Sequence, residues 1–116
     1  MALVKTSQVQ GKVPVTVFHL QDRINLGNAT ELEKTAKEAF EGGVRDLVID
    51  LTEAPSITSA GIRSLVVIYK MLATDDEKKH VKLAGASTYI REVLDVAGIS
   101  QTIEMYNSVD EAVASF

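Results

Sequence analysis

Two kinds of spacing between apolar residues alternate along the chain. Short aliphatic runs such as Leu47-Val48-Ile49 are typical of strands, and a run without alternating polar residues favours a strand buried on both faces. Between these runs, apolar residues recur every three or four positions, as in amphipathic helices. The predicted strands are 3–9, 13–18, 46–51, 81–84 and 102–106, residues 21–27 are a predicted loop, and the predicted helices begin near Asn28, Ser59, Ser87 and Ser108.

Residues that satisfy free backbone groups mark where the helices begin and end. Asn28, with Glu31 three residues later, predicts a capping box at the start of the first helix. Gly42-Gly43 predicts its end, because glycine adopts left-handed conformations at low cost. Thr58 or Ser59 is predicted to cap the second helix, which runs to about residue 73.

The predicted order of elements, ββαβαβαβα, indicates one α/β domain over residues 1–116. Strands that alternate with helices favour a mainly parallel sheet with right-handed crossovers. Gln10-Gly11-Lys12 predicts a hairpin between the first two strands, which makes the sheet mixed. We therefore expect about five strands and about four helices.

Composition excludes several classes of function. The 116 residues include no cysteine, so disulfides, thiolate metal sites and cysteine nucleophiles are absent. Twelve Lys and Arg against sixteen Asp and Glu give a net charge of −4, which argues against a nucleic-acid partner. The longest apolar run, Leu65 to Tyr69, is far shorter than a membrane span of about 18 residues. With no signal-peptide pattern at the start, we expect a cytoplasmic protein without membrane contact, and the oligomeric state stays open.

Hydroxyl side chains cluster where the third predicted strand leads into the second predicted helix. Ligands of open α/β sheets bind outside the carboxyl ends of the strands, and this edge carries Asp50, Thr52 and residues 55–63. Ser56, Thr58 and Ser59 supply three hydroxyls within four residues. Free N–H groups at a helix start favour an anion. One of these hydroxyls therefore either only caps the helix or also accepts a phosphoryl group.

Residues 50–65 resemble the signature of the STAS domain family, the anti-sigma factor antagonists. Asp50-Leu51-Thr52 and the later run Ile57-Thr58-Ser59-Ala60-Gly61-Ile62 are similar to the family's Asp-Leu-Ser at a strand end and its Asp-Ser-(Ser/Thr/Ala)-Gly-Leu at a helix start. The resemblance extends to residues 21–25, where the family has a Gly-x-Leu-Asp loop, and to residues 90–99 and 108–112. It implies a single STAS domain over residues 1–116.

The resemblance also implies a binding module that is switched by phosphorylation and is not an enzyme. In this family a serine at the start of the second helix is phosphorylated by a partner kinase that is also an anti-sigma factor. The unphosphorylated form binds that partner, and a phosphatase resets the switch. Ser59 is the phosphoacceptor that the resemblance implies, with Thr58 as the alternative. Because Ala60 occupies the position phosphorylated in the best-known members, a scaffold that binds without being phosphorylated stays open.

The resemblance implies a partner-binding surface and no cofactor, because the kinase, a histidine-kinase-like ATPase, supplies the ATP site. Asp50 is expected to shape the site by bonding backbone amides of the following loop. The residues implied for partner binding are Asp22, Asn25, Thr52, Ser56, Thr58, Ser59 and Arg63.

Other candidate sites are weaker. Two histidines without clustered carboxylates give no metal site, and His19 lacks the adjacent helix start that would hold a phosphoryl group. We expect His80 to be in solvent and the run Asp75 to Lys79 to be a solvated turn. Catalysis by Ser59 would need a nearby base, and the sequence places no histidine there. A small-ligand carrier with an enclosed apolar cavity is the alternative from another class.

Overall fold

The computed structural model describes residues 3–73 and 80–116, which form a five-stranded sheet and four α-helices. The predicted order of elements is confirmed within these residues. The strands are β1 (Val4–Gln10), β2 (Pro14–Leu20), β3 (Leu47–Asp50), β4 (Val81–Ala84) and β5 (Met105–Tyr106). The helices are α1 (Leu26–Glu41), α2 (Ser59–Leu72), α3 (Thr88–Val96) and α4 (Val109–Ala114), with a 3-10 turn (Ile99–Gln101) after α3.

The sheet is mixed, as predicted, and its strands lie in the order β1-β2-β3-β4-β5. The hairpin pairs β1 with β2 in antiparallel orientation, and the pairs from β2 to β5 are parallel. In this register Lys5 lies opposite His19, which in turn lies opposite Asp50. Side chains from β1, β2 and β3 therefore share one face of the sheet near the carboxyl ends of β2 and β3.

Both faces of the central strands are buried, as the continuous aliphatic run predicts. Leu47 and Ile49 of β3 pack with α1, α2 and α3, whereas Val48 faces the other way and packs with α4. The larger cluster includes Phe18, and the smaller one includes Ala112. The short α4 contacts β3, β4 and β5, so groups on that face beyond its reach can meet solvent.

The start of α1 differs from the prediction. The helix begins at Leu26 and is capped by Asn25, whose side chain accepts the Asn28 N–H at 3.1 Å. The Asn28 side chain in turn accepts the Asn25 N–H at 2.8 Å. Asn28 is therefore the N3 residue of the capping box, and the N-cap is Asn25. Glu31 accepts the Leu3 N–H at 2.8 Å instead. The first turn of α1 could not be predicted from hydrophobic periodicity, because Leu26 is exposed and does not belong to the apolar stripe of the helix.

Two further predictions need correction in the second half of the chain. The last strand is only Met105–Tyr106, because residues 99–101 close a 3-10 turn after Gly98, whose φ is +80°. His80 is not solvated: its Nδ1 lies 2.8 Å from Asp46 Oδ1, and its side chain is 11% exposed. The predicted turn Asp75 to Lys79 lies outside the described residues.

Candidate functional site

Two loops join at the carboxyl edge of the sheet. Ile24 and Ile57 form an isolated parallel bridge, and both side chains are buried. The Ile24 N–H donates to the Ser56 carbonyl oxygen at 3.2 Å, and the Thr58 N–H donates to the Ile24 carbonyl oxygen at 2.9 Å. Since α1 begins two residues after Ile24 and α2 two residues after Ile57, backbone hydrogen bonds set the two helix starts side by side.

Thr58 caps α2 and leaves Ser59 free at its first position. The Thr58 hydroxyl accepts the Gly61 N–H at 3.4 Å and donates to the Ile24 carbonyl oxygen at 3.2 Å. Ser59 is exposed, and its hydroxyl makes no hydrogen bond to another residue in 3–73 or 80–116. Of the two hydroxyls, that of Ser59 is therefore the one left available, because Thr58 is committed to the cap.

Gly61 lets α2 approach the loop bridge closely. A Cβ atom at this position would lie 2.6 Å from Ile24 Cγ2 and 2.8 Å from Ile57 Cγ1. Both distances are shorter than carbon atoms tolerate without rearrangement. The glycine of the sequence motif is therefore explained by packing beneath the helix start.

An open groove of about 760 Å³ lies between the starts of α1 and α2. Ser59 lines it together with Asn25, Leu26, Glu33 and Arg63. Leu26 is 80% exposed, so the groove offers an apolar contact beside polar ones. The Glu33 carboxylate accepts a hydrogen bond of 2.6 Å from the buried Ser64 hydroxyl, which fixes α1 against α2 below the groove.

Asp50 organises a second group of side chains. Its Oδ1 accepts the Thr52 N–H at 3.0 Å and the Thr52 hydroxyl at 2.6 Å, and its Oδ2 lies 2.8 Å from His19 Nδ1. Burial alone raises the pKa of Asp50, but the hydrogen bonds from Thr52 and the contact with His19 outweigh it and hold the pKa below the usual value. Asp50 is therefore ionised at neutral pH, and its expected bond to a loop amide is present.

Gly85, which follows β4, packs directly against Thr52 and Asp50. Its φ is +72°, a left-handed conformation that favours glycine. A Cβ atom here would collide with Thr52 Oγ1 and lie 3.1 Å from Asp50 Oδ1. The space occupied by the Thr52 hydroxyl thus depends on the absence of a side chain at position 85.

Comparison with known proteins identifies the family. The family model described as STAS domain matches residues 6–112, almost the whole chain. The chain belongs to the STAS domain family. BtrV of Bordetella bronchiseptica, which is classed as an anti-sigma factor antagonist, is 30% identical over 97 residues, covering 84% of this STAS domain and 82% of BtrV.

Solved structures share the fold of this STAS domain. The Thermotoga maritima protein TM1081, also classed as an anti-sigma factor antagonist, matches with a TM-score of 0.85 at 18% identity, over 97% of this chain and 92% of that one. The phosphorylated form of the Bacillus cell fate determinant SpoIIAA matches with a TM-score of 0.70 at 16% identity, over 97% of both chains. The predicted fold class is confirmed.

The residues predicted for partner binding do not all meet in this STAS domain. Asn25, Thr58, Ser59 and Arg63 line the groove between the helix starts. Thr52 belongs with Asp50 in a separate open groove of about 500 Å³.

The remaining two residues of the predicted set line neither groove. Asp22 is exposed in the loop after β2, where its carboxylate accepts the Arg23 N–H at 2.7 Å. Ser56 is half-buried and holds the loop bridge through its carbonyl oxygen.

Sequence reasoning missed several side chains of these two grooves, among them Leu26, Ser7 and His19. Leu26 lay in a predicted loop, and its exposure could not be read from an apolar stripe. Ser7 and His19 lie 12 positions apart and meet Asp50 only through strand pairing, with Ser7 Oγ 2.8 Å from His19 Nε2. The hairpin signal at Gln10-Gly11-Lys12 could have placed the first two together, because it implies their approximate register.

The part of the chain that the structure describes contains neither a membrane-spanning helix nor a metal-binding cluster. Within 3–73 and 80–116, none of the helices has the length and apolar character needed to cross a bilayer. Over the same residues, no three His, Asp or Glu side chains converge on a point that a metal ion could occupy.

Proposed function

We propose that this STAS domain is an anti-sigma factor antagonist whose binding to a kinase is controlled by phosphorylation of Ser59. The observation that carries the proposal is the exposed Ser59 hydroxyl at the first position of α2, inside the groove between two helix starts. The partner is a serine kinase of the histidine-kinase-like ATPase class that also acts as an anti-sigma factor, and a phosphatase removes the phosphate. The similarity to BtrV, which is classed as an anti-sigma factor antagonist, supports an anti-sigma factor as the partner.

The groove suits a protein partner in the unphosphorylated state. Leu26 supplies exposed apolar area, while Asn25 and Thr30 line the rim with polar groups. Apolar anchors surrounded by polar contacts are typical of protein interfaces. The loop bridge between Ile24 and Ile57 holds this surface in place, so little ordering is needed when a partner binds.

Phosphorylation of Ser59 changes the charge of the groove without disturbing the fold. Among the lining residues, Glu33 and Arg63 carry one charge of each sign. A phosphate adds about −1.5 to −2 charges at neutral pH. The helix start stabilises this anion in the free protein, and Arg63, four residues further along α2, lies on the same side of the helix. In a packed interface the phosphate must lose water, and a cost of about 2–3 kcal/mol lowers affinity roughly 30- to 150-fold.

A scaffold that is never phosphorylated is the second candidate, and Ala60 favours it. This residue has no hydroxyl at the position modified in the best-known members of the family, so the switch requires that the kinase accept Ser59 instead. The two candidates share the groove as their binding surface. They differ only in whether a phosphate is added to Ser59.

The deciding experiment combines phosphorylation with binding. The protein is incubated with the serine kinase of this class from the same organism and Mg-ATP, and the modified residue is located by mass spectrometry. We expect one phosphate on Ser59 and none on Ser59→Ala. Titration calorimetry should show that Ser59→Asp binds the kinase at least tenfold more weakly, whereas Ser100→Asp, an exposed position after α3, binds like the wild type.

One result separates the two candidates, and another would rule out both. Binding to the kinase without any added phosphate would favour the scaffold. If Ser59→Asp bound as tightly as the wild type, the groove would not be the docking surface, and both candidates would fail.

A further inference from the structure

Ser7, His19 and Asp50 form a continuous hydrogen-bonded chain across three adjacent strands. Ser7 Oγ lies 2.8 Å from His19 Nε2, and His19 Nδ1 lies 2.8 Å from Asp50 Oδ2. Strand pairing places them on one face of the sheet, because His19 lies opposite Asp50 and Ser7 lies opposite Val17, two residues before His19. A nucleophile, a base and a group that orients the base are thus arranged in the order of a serine triad.

When His19 is neutral, the hydrogen bonds of this chain run in one direction. An ionised carboxylate only accepts hydrogen bonds, so the proton between Asp50 and a neutral His19 resides on Nδ1. Nε2 of that imidazole then carries a lone pair and accepts the hydrogen of the Ser7 hydroxyl. Thr52 holds the Asp50 carboxylate by two hydrogen bonds, which fixes the orientation of the imidazole in turn.

We propose that Ser7 is a nucleophile activated by His19 and Asp50, and that it accepts the acyl group of a small activated ester. The triad opens onto the groove of about 500 Å³, which is separate from the Ser59 groove. The His19 side chain is 28% exposed and Asp50 12%, so a small molecule reaches the imidazole while the carboxylate behind it is shielded. The groove is lined by polar side chains, and its limited volume suits a small acyl group such as acetyl.

The proposed reaction is a single acyl transfer. Ser7 Oγ attacks the ester carbonyl carbon, and its proton passes to His19 Nε2. The tetrahedral intermediate collapses with cleavage of the bond to the leaving oxygen, which takes the proton from Nε2 and departs as the alcohol or phenol. Acyl-Ser7 and a neutral imidazole remain, and no other reactant is consumed. Lys5, whose side chain lines the same groove, supplies the positive charge available to the carbonyl oxygen as it becomes negative.

The test is acetylation by 4-nitrophenyl acetate, followed by release of nitrophenol and by peptide mass spectrometry. We expect an acetyl group on Ser7, together with a stoichiometric burst of nitrophenol that Ser7→Ala lacks. His19→Gln should slow the burst at least tenfold, because positioned bases accelerate such transfers by about two to four orders of magnitude. Thr6→Ala is the matched control, since this exposed neighbour on β1 points to the other face, and it should react like the wild type.

The same measurements can overturn the proposal. Acetylation only of lysines or of the amino terminus, or a burst that His19→Gln leaves unchanged, would show that Ser7 is not activated. If circular dichroism shows that His19→Gln is unfolded, the wild type is compared with and without urea. Activation by the folded triad requires that Ser7 labelling be lost in urea, and labelling at equal rates in both would refute it.

Discussion

Replacing Gly61 by alanine tests whether backbone packing defines the start of α2. The added Cβ would lie within 3.0 Å of three side-chain atoms of Ile24 and Ile57, both of them buried. Overpacking a buried site costs about 1–3 kcal/mol, and three such contacts place this site at about 2–3 kcal/mol. Alanine is favoured over glycine in a helix by about 1 kcal/mol, which offsets part of that cost. The expected net loss is about 1–2 kcal/mol of unfolding free energy.

Urea unfolding followed by far-UV circular dichroism measures this loss. A loss of that size lowers the midpoint by roughly 0.5–1 M at a slope of about 2 kcal/mol per molar urea, the middle of the range for small proteins. The matched control is Gly42→Ala at the end of α1, where φ is −81° and a Cβ would meet atoms no closer than 3.4 Å. This variant should be as stable as the wild type or more so. If both substitutions shifted the midpoint alike, the close approach at Gly61 would not constrain the fold.

Three further predictions concern the sheet. Gly85→Ala should lose about 2 kcal/mol or more of unfolding free energy, because a left-handed alanine costs about 1–2 kcal/mol and its Cβ would displace the Thr52 hydroxyl; urea unfolding measures this, and an unchanged midpoint would contradict it. Because the pKa of Asp50 is lowered in the folded protein, the ionised carboxylate stabilises the fold at pH values above 3.8, its ordinary pKa. This contribution is lost as the pH falls through the lower pKa of the folded state. The stability advantage of the wild type over Asp50→Asn should therefore shrink as the pH falls from about 5 to below 3.8 in urea titrations, and an advantage that grew over this range would refute the sign. Buried Lys82 donates hydrogen bonds to the Ser115 carbonyl oxygen at 3.1 Å and to the Ser115 hydroxyl at 2.7 Å, and it pairs with Glu104 at 3.3 Å. Lys82→Met, which fills the same space without these partners, should therefore speed hydrogen exchange near the end of α4, and exchange as slow as in the wild type would contradict this role.

The fold could be predicted from local patterns because its main signals are local. The aliphatic run in β3 and the caps at Thr58 and Ser87 each act within a few residues, and the structure has both caps. The predicted start of α1 was wrong because Asn25 and Asn28 are equally suitable N-cap residues and lie three positions apart. Only the burial of Ile24, fixed by a strand bridge 33 residues away, selects the first.

The candidate site was harder to predict, because several of its contacts join residues that are far apart in the sequence. Ser59 and Arg63 are separated by one helical turn, so their common groove follows from sequence spacing. His80 was placed in solvent because its partner Asp46 is 34 residues away, and its pairing depends on the register between β3 and β4. The chain Ser7, His19 and Asp50 likewise exists only once three strands are aligned.

The bridge between Ile24 and Ile57 has a consequence for how such domains diversify. The bridge and the hydrogen bonds beside it join main-chain atoms, and they hold both helix starts without using the side chains that face outwards. Leu26, Thr30 and Ser59 can therefore be exchanged with little loss of the underlying geometry. Substitutions at these surface positions alone can therefore change which partner is recognised. The two helix starts held by this bridge are a suitable scaffold for engineering orthogonal signalling pairs.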